Sequence, residues 1–175
     1  KDSDGGAWRH RTQHTSWYNE ASSASRDVNT RSTRAEFPAV AVIVAEVGKI
    51  TIYDGDDPAL PMWMVFNEGN FNNLVFGFNS LSAKNGILCS GNNEGNVNYA
   101  GLMVVRFLND DLIGVRNSTY PNNHASISGV VNRNSAWPQA GSRGLIISGG
   151  GLVSALVNDV AMTVLPDAPT DPATG

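Results

Sequence analysis

The apolar residues of this chain arrive in short bursts, and no burst is built like a helix. They run "AVAVIVAEV" at 39–47, "KITIYD" at 49–54, "MWMVF" at 62–66, "LVFGF" at 74–78, "GILCS" at 86–90 and "GLMVVRFL" at 101–108. Four more follow: "ISGVV" at 127–131, "GLIIS" at 144–148, "LVSALV" at 152–157 and "VAMTVL" at 160–165. Each is strand length, rich in Val, Ile or aromatic residues, and bounded by Gly, Asn, Asp or Pro. No segment carries a 3.6-residue apolar stripe over the roughly ten residues a helix requires. The expected fold is all-β, with propeller-like or sandwich-like antiparallel sheets.

Turn chemistry agrees. The chain holds 19 Asn and 18 Gly, the two residue types that best tolerate positive φ. "VGK" at 47–49, "KNG" at 84–86 and "SGGGL" at 148–152 read as tight connections between strands. The longer run "SGNNEGNVNY" at 90–99 reads as an exposed hairpin tip, and it places Asn92, Asn93 and Asn96 together.

Texture divides the 175 residues into three parts. Residues 1–36 form a polar N-terminal arm, in which "GAWRHRT" and "TSWYNE" suggest a short hairpin before a loose loop over 20–34. Residues 37–165 form the β-repeat core. Residues 166–175, with prolines at 166, 169 and 172, form a linker or tail. The start Lys1-Asp2-Ser3-Asp4 has neither an initiator Met nor an apolar leader, so the chain is expected to be cut from something longer.

Charge and cysteine content narrow the function classes. The net charge is −4, distributed as +2 over residues 1–34 and −6 over the remainder. That is far from the basic footprint of a nucleic-acid module. No apolar run approaches the roughly 20 residues of a membrane-spanning helix, so no membrane insertion is expected. A single cysteine, Cys89, excludes an internal disulfide scaffold and a multi-Cys zinc module.

A unit of two apolar strands and an acidic stop recurs. The stops fall at Asp57, Asp111 and Asp159, at intervals of 54 and 48 residues. Repeats of about 40 to 50 residues are the signature of propeller blades, whereas a sandwich with acidic turns is the plainer reading. Residues 37–165 hold two to three such units, fewer than the roughly four blades that close a ring, which marks the chain as an incomplete part of a larger repeat protein.

The segments "KDSDGGAWRHRTQHTSWYNE" (1–20) and "EFPAVAVIVAEVGKITIYDGDDPALPMWMVF" (36–66) resemble a module that recurs in large virion structural and tail-fibre-type proteins of bacteriophages, especially marine ones. The resemblance covers about a third of the chain closely. It implies blade-like β repeats and a structural role in a virus particle, and it carries over no catalytic residue.

Candidate chemistry is sparse, and no cofactor is expected. "DGDDP" at 54–58, "NDD" at 109–111 and "DSDGG" at 2–6 are acidic enough for calcium but lack the alternating ligands and distal Glu of an EF-hand loop, so Asx or type I turns are the simpler reading. A glycosidase or lyase needs two opposed carboxylates; Glu46, Asp54, Glu68 and Glu94 are available, without a motif to pair them. His10 and His14 lie four apart in what reads as extended chain, too far apart there to share one ion, and His124 falls in a loop. No G-x-S-x-G elbow is present, and Cys89 sits in an apolar strand context that favours an inert thiol. Among Trp8, Trp17, Tyr18, Trp63 and Trp137, the last precedes Pro138 in a polar loop and is the best placed for an exposed glycan-stacking ring, whereas Trp63 reads as core.

The expectation is therefore a non-enzymatic structural component of a bacteriophage virion, a tail fibre or other virion-associated protein. Its tasks would be subunit assembly, including homo-oligomer formation through exposed sheet edges, and attachment to a host surface glycan. Trp137, Asn92, Asn93 and Asn96 are the candidate recognition residues. The alternatives are a tailspike-like carbohydrate depolymerase and a carbohydrate-binding module.

Overall fold

The computed structural model describes residues 7–21, 30–46, 48–67, 78–92, 101–115, 124–134, 152 and 157–163. These form an all-β structure of two antiparallel sheets. The first contains β1 (Ala41–Glu46), β2 (Lys49–Asp54) and β3 (Met62–Asn67), in that order. The second is a five-stranded meander of β4 (Phe78–Lys84), β5 (Ile87–Asn92), β6 (Gly101–Arg106), β7 (Asp111–Val115) and β8 (His124–Ser128). Neither sheet closes into a barrel or a propeller ring.

Register follows burial. In the first sheet Ile43 stands opposite Ile52 and Ile52 opposite Met64, while Ala45, Ile50 and Phe66 form the next row. In the second sheet the fully buried Leu88, Val105 and Leu112 line up across β5, β6 and β7. Shifting either sheet by one residue would turn these rows to the opposite face, so burial of one face locks the pairing. At the β4–β5 turn Asn85 and Gly86 have φ of 50° and 74°, the paired left-handed values of a type I′ turn. Gly86 is also required sterically, because a Cβ there would lie 2.8 Å from the Trp8 ring.

The two sheets share one core, and aromatic rings join them. Phe37 lies 4.8 Å from Trp63 and 4.9 Å from Phe107, and Trp17 packs edge-on against both Trp63 and Phe107. Trp63 comes from the first sheet, Phe107 from the β6–β7 turn, and Trp17 and Phe37 from the N-terminal segment. The outer edge of β3 is covered by that segment too: Arg31 bridges Met64, Ser32 N–H donates to Trp63 O and Val65 N–H donates to Thr30 O.

The N-terminal arm differs from the expected hairpin. Ala7–Arg11 is a 3₁₀ helix and turns follow it. The Thr12 hydroxyl donates to Arg9 O at 2.7 Å and the Thr15 hydroxyl to Thr12 O at 2.6 Å, so these polar residues satisfy themselves locally and are buried with Trp8 and Trp17. Other boundaries move as well. Asp111 opens β7 instead of ending a unit, because its carboxylate accepts from the Arg106 guanidinium directly across the β6–β7 register. Strand β8 covers His124–Ser128 and then gives way to a 3₁₀ turn at Val130–Asn132, so only the first part of the 127–131 burst is extended. Residues 157–163 form no strand; they lie on β4, with Val160 N–H and Met162 N–H each donating to a serine hydroxyl, Ser80 and Ser82, at 3.0 Å. The bursts at 74–77 and 144–148, the turn at 148–151, and residues 1–6 and 164–175 lie outside the described residues.

Candidate functional site

Strand β1 is the outer strand of its sheet, and its two faces differ. Ala41, Ile43 and Ala45 are half-buried against the core, while Val42 and Val44 are 40% and 38% exposed and the preceding Val40 is 57% exposed. The run from Ala39 to Ala45 contains no charge, no proline and no bulge. Among the described residues, the hydrogen bonds made by Ala41–Glu46 are those of the β1–β2 ladder and the Glu46–Lys49 ion pair at 2.8 Å.

Both ends of this edge are fastened. At one end Asp56 accepts from Ala39 N–H at 2.8 Å and Val40 N–H at 2.9 Å, and Gly55 N–H donates to Val40 O at 2.8 Å. A Cβ on Gly55 would itself lie 2.8 Å from Val40 O, so only glycine permits this approach. Arg34 holds the loop from the other side, with Nη1 at 2.6 Å from Asp54 and Nη2 at 2.7 Å from Asp56. At the opposite end Glu46 and Lys49 close the hairpin. A groove of about 340 Å³ lies beside the strand, between Ala41 and Ile43 and the β4–β5 turn, and Trp8, Phe37 and Phe107 also line it.

The acidic turns are occupied by the protein's own donors. Besides Asp54 and Asp56, Asp57 accepts from Ala59 N–H at 2.9 Å as an Asx turn. Asp110 accepts from Ser16 N–H and the Ser16 hydroxyl, each at 2.7 Å, and from Val130 N–H at 2.9 Å. Asp159 accepts from the Ser80 hydroxyl. No group of three His, Cys, Asp or Glu able to hold a metal occurs among the described residues. Of the carboxylates considered for sugar chemistry, Glu46 and Asp54 stand in ion pairs, and Glu68 and Glu94 lie outside the described residues.

The remaining candidates separate widely. His10 pairs with Glu36 at 3.1 Å on the 3₁₀ helix, His14 is exposed, and His124 opens β8 instead of lying in a loop. Cys89 is half-buried in β5, and desolvation pushes its thiol up, away from the reactive thiolate. Asn92 ends β5, where its backbone faces Phe78 and Gly101; Asn93, Asn96 and Trp137 lie outside the described residues. Trp8, Trp17 and Trp63 are core residues, which removes them as sugar-stacking platforms.

One charged cluster has no warning in the sequence. Glu20 accepts from Arg133 Nη1 at 2.7 Å and lies 3.9 Å from Arg31 Nε, and all three side chains are buried. Arg31 also donates to the carbonyls of Trp63 and Ala35 and stacks 4.3 Å from the Trp63 ring, while Arg133 donates to Val65 O and Thr30 O. Desolvation, only partly offset by Glu20, pushes the Arg31 guanidinium down to about 10. Apart from the buried Arg31 Nε, which makes no hydrogen bond, the donors go to Glu20 and to the chain's own carbonyls, so the cluster ties the arm, β3 and the Val130–Asn132 turn together.

No helix among the described residues is long and apolar enough to cross a membrane. The chain matches no protein-family model, no curated protein and no solved structure.

Proposed function

We propose that this chain is a non-enzymatic structural component of a bacteriophage virion, of the tail-fibre type, which assembles with neighbouring subunits through its sheet edges and offers a surface to the host. The observation that carries the assembly half is the β1 edge. Proteins that live as monomers guard such edges with Lys, Pro, bulges or a covering segment, because unpaired N–H and C=O groups recruit any available strand. Here the opposite edge of the same sheet is covered by residues 30–32, whereas Ala41–Ala45 is apolar and exposes Val42 and Val44. Among the described residues β1 has no hydrogen-bonded neighbour but β2, although β4 of the second sheet packs close to it, and an edge unpaired in this way beside one that is closed suits a subunit that acquires its neighbour on assembly. The virion half rests on the likeness of residues 1–20 and 36–66 to phage structural modules, and β1 belongs to the second of these segments.

Mass spectrometry and antibody labelling of purified phage particles test the role. The expected result is the chain at stoichiometric levels in the particle, with label on the tail. Its absence from particles, or release of new reducing ends from host surface polysaccharide by the isolated protein, would overturn it.

A further inference from the structure

We infer that the β1 edge pairs with a second copy of this chain, β1 against β1, antiparallel, about a two-fold axis at Ile43. This deepens the assembly role proposed above and rests on it.

Backbone direction comes first. Val40 turns its carbonyl toward Gly55, and Glu46 and Lys49 close the hairpin, so Val40, Val42, Val44 and Glu46 spend their N–H and C=O groups on the β2 side. In an antiparallel pair these alternate, which leaves Ala41, Ile43 and Ala45 with both groups pointing away from β2. Ala39 has the same direction, but its N–H is already taken by Asp56. Among the described residues, the edge without a hydrogen-bonded partner is therefore Ala41–Ala45.

That stretch reads Ala-Val-Ile-Val-Ala, a palindrome centred on Ile43. A two-fold axis makes an interface isologous, so each residue must suit its symmetry mate. With Ile43 opposite Ile43 of the second copy, Ala41 falls opposite Ala45 and Val42 opposite Val44. The half-buried row meets the half-buried row and the exposed valines meet each other. Two backbone hydrogen bonds form across the central pair and two across each flanking Ala41–Ala45 pair. The nearest registers that keep the faces matched centre on Val42 and on Val44. The first sets Ala41 against Ile43, and it sets Ala45 against Ala39, whose N–H is not free; the second sets Ala41 against residue 47, beyond the end of β1.

Sedimentation velocity and light scattering across a concentration series read the result, with substitutions at the exposed positions. The wild type is expected to dimerise. V42K/V44K places two like-charged pairs across the axis and weakens association by roughly tenfold or more. V42K/V44E places opposite charges across the axis in the Ile43-centred register and restores the dimer, but in the Val42-centred register it leaves the V42K side chains facing each other and stays weak. A45P removes an outward N–H that the β1–β2 ladder does not use, and is expected to give a folded monomer; because V42K and V44E sit on the exposed face, the charge series still decides the matter if A45P does not fold. A wild type that stays monomeric at the highest attainable concentration, or a V42K/V44E protein no more associated than V42K/V44K, overturns the inference. If the chain is found in particles yet is monomeric in solution, the virion role survives and this pairing fails; a dimer absent from particles is the reverse.

Discussion

The indole Nε1 of Trp17 donates to the carbonyl of Phe107 at 2.7 Å, both groups buried and 90 residues apart in sequence. This bond ties the N-terminal arm to the β6–β7 turn at the centre of the aromatic cluster. Trp17→Phe keeps much of the ring packing but leaves the Phe107 carbonyl without a donor, at a cost of about 1–3 kcal/mol. Trp17→Ala adds a cavity and is expected to cost about 3–5 kcal/mol. Urea midpoints measure both, and a Trp17→Phe protein as stable as wild type would show that the hydrogen bond contributes nothing beyond packing.

Asp110 and Ser16 form the second tie between the same segments. The Asp110 carboxylate accepts from the Ser16 backbone, the Ser16 hydroxyl and Val130 N–H, and the Ser16 hydroxyl in turn accepts from Val131 N–H at 3.2 Å. Asp110 sits at φ 56°, a conformation Asp and Asn tolerate better than most residues. A double-mutant cycle of Asp110→Asn and Ser16→Ala is expected to give a coupling of about 0.5–3 kcal/mol, as groups in one network do. Additive losses would show that each residue acts through other contacts.

Much of this architecture was readable in the sequence, and what was not has a physical reason. The bursts that became β1, β2, β3, β5 and β6 are apolar on both faces or nearly so, and the β1–β2 and β4–β5 turns carry Gly48, Asn85 and Gly86 where φ is positive. Strand β4, "FNSLSAK", hides because Ser80 and Ser82 face residues 157–163 and only Phe78 and Leu81 reach the core. Strand β7, "DLIGV", hides behind its opening Asp111, which reads as a turn until its pairing with Arg106 is known. The arm looks polar, yet Thr12, Thr15, Trp8 and Trp17 are interior because local hydroxyl-to-carbonyl bonds and tertiary contacts remove the penalty of burying them. The edge at Ala41–Ala45 was legible as a strand but not as a site. With every residue apolar, periodicity cannot say which face is solvent, and strand order is a tertiary property.

Glu20 is the sole carboxylate in a buried cluster with Arg31 and Arg133 among the described residues. Glu20→Gln leaves two guanidiniums with one charge fewer between them and is expected to cost about 3–5 kcal/mol, as breaking a buried ion pair does. Arg31, already held down to about 10 by desolvation, loses the attraction that opposes that fall. Thermal and urea unfolding measure the loss. A Glu20→Gln protein as stable as wild type would mean that the carbonyls of Trp63, Ala35, Val65 and Thr30 alone suffice to hold the two arginines.

Asp56 makes the β1 end of the fold sensitive to acid. Desolvation pushes its carboxyl up, but the Ala39 N–H, the Arg34 guanidinium and the Val40 N–H together outweigh it and hold the group below its ordinary range. Unfolded, an Asp titrates near about 3.9. Between the depressed folded value and that one, the unfolded chain binds more protons, so stability rises with pH there. The contribution is complete above the unfolded value and disappears as pH falls through the folded one. Asp56→Asn is neutral at every pH and lacks it throughout. The variant is therefore expected to be less stable than wild type near neutrality, with the gap closing as pH falls through the depressed folded value. Urea midpoints taken across that range decide the point: a gap independent of pH would place the effect of Asp56 in hydrogen-bond geometry alone and not in its charge.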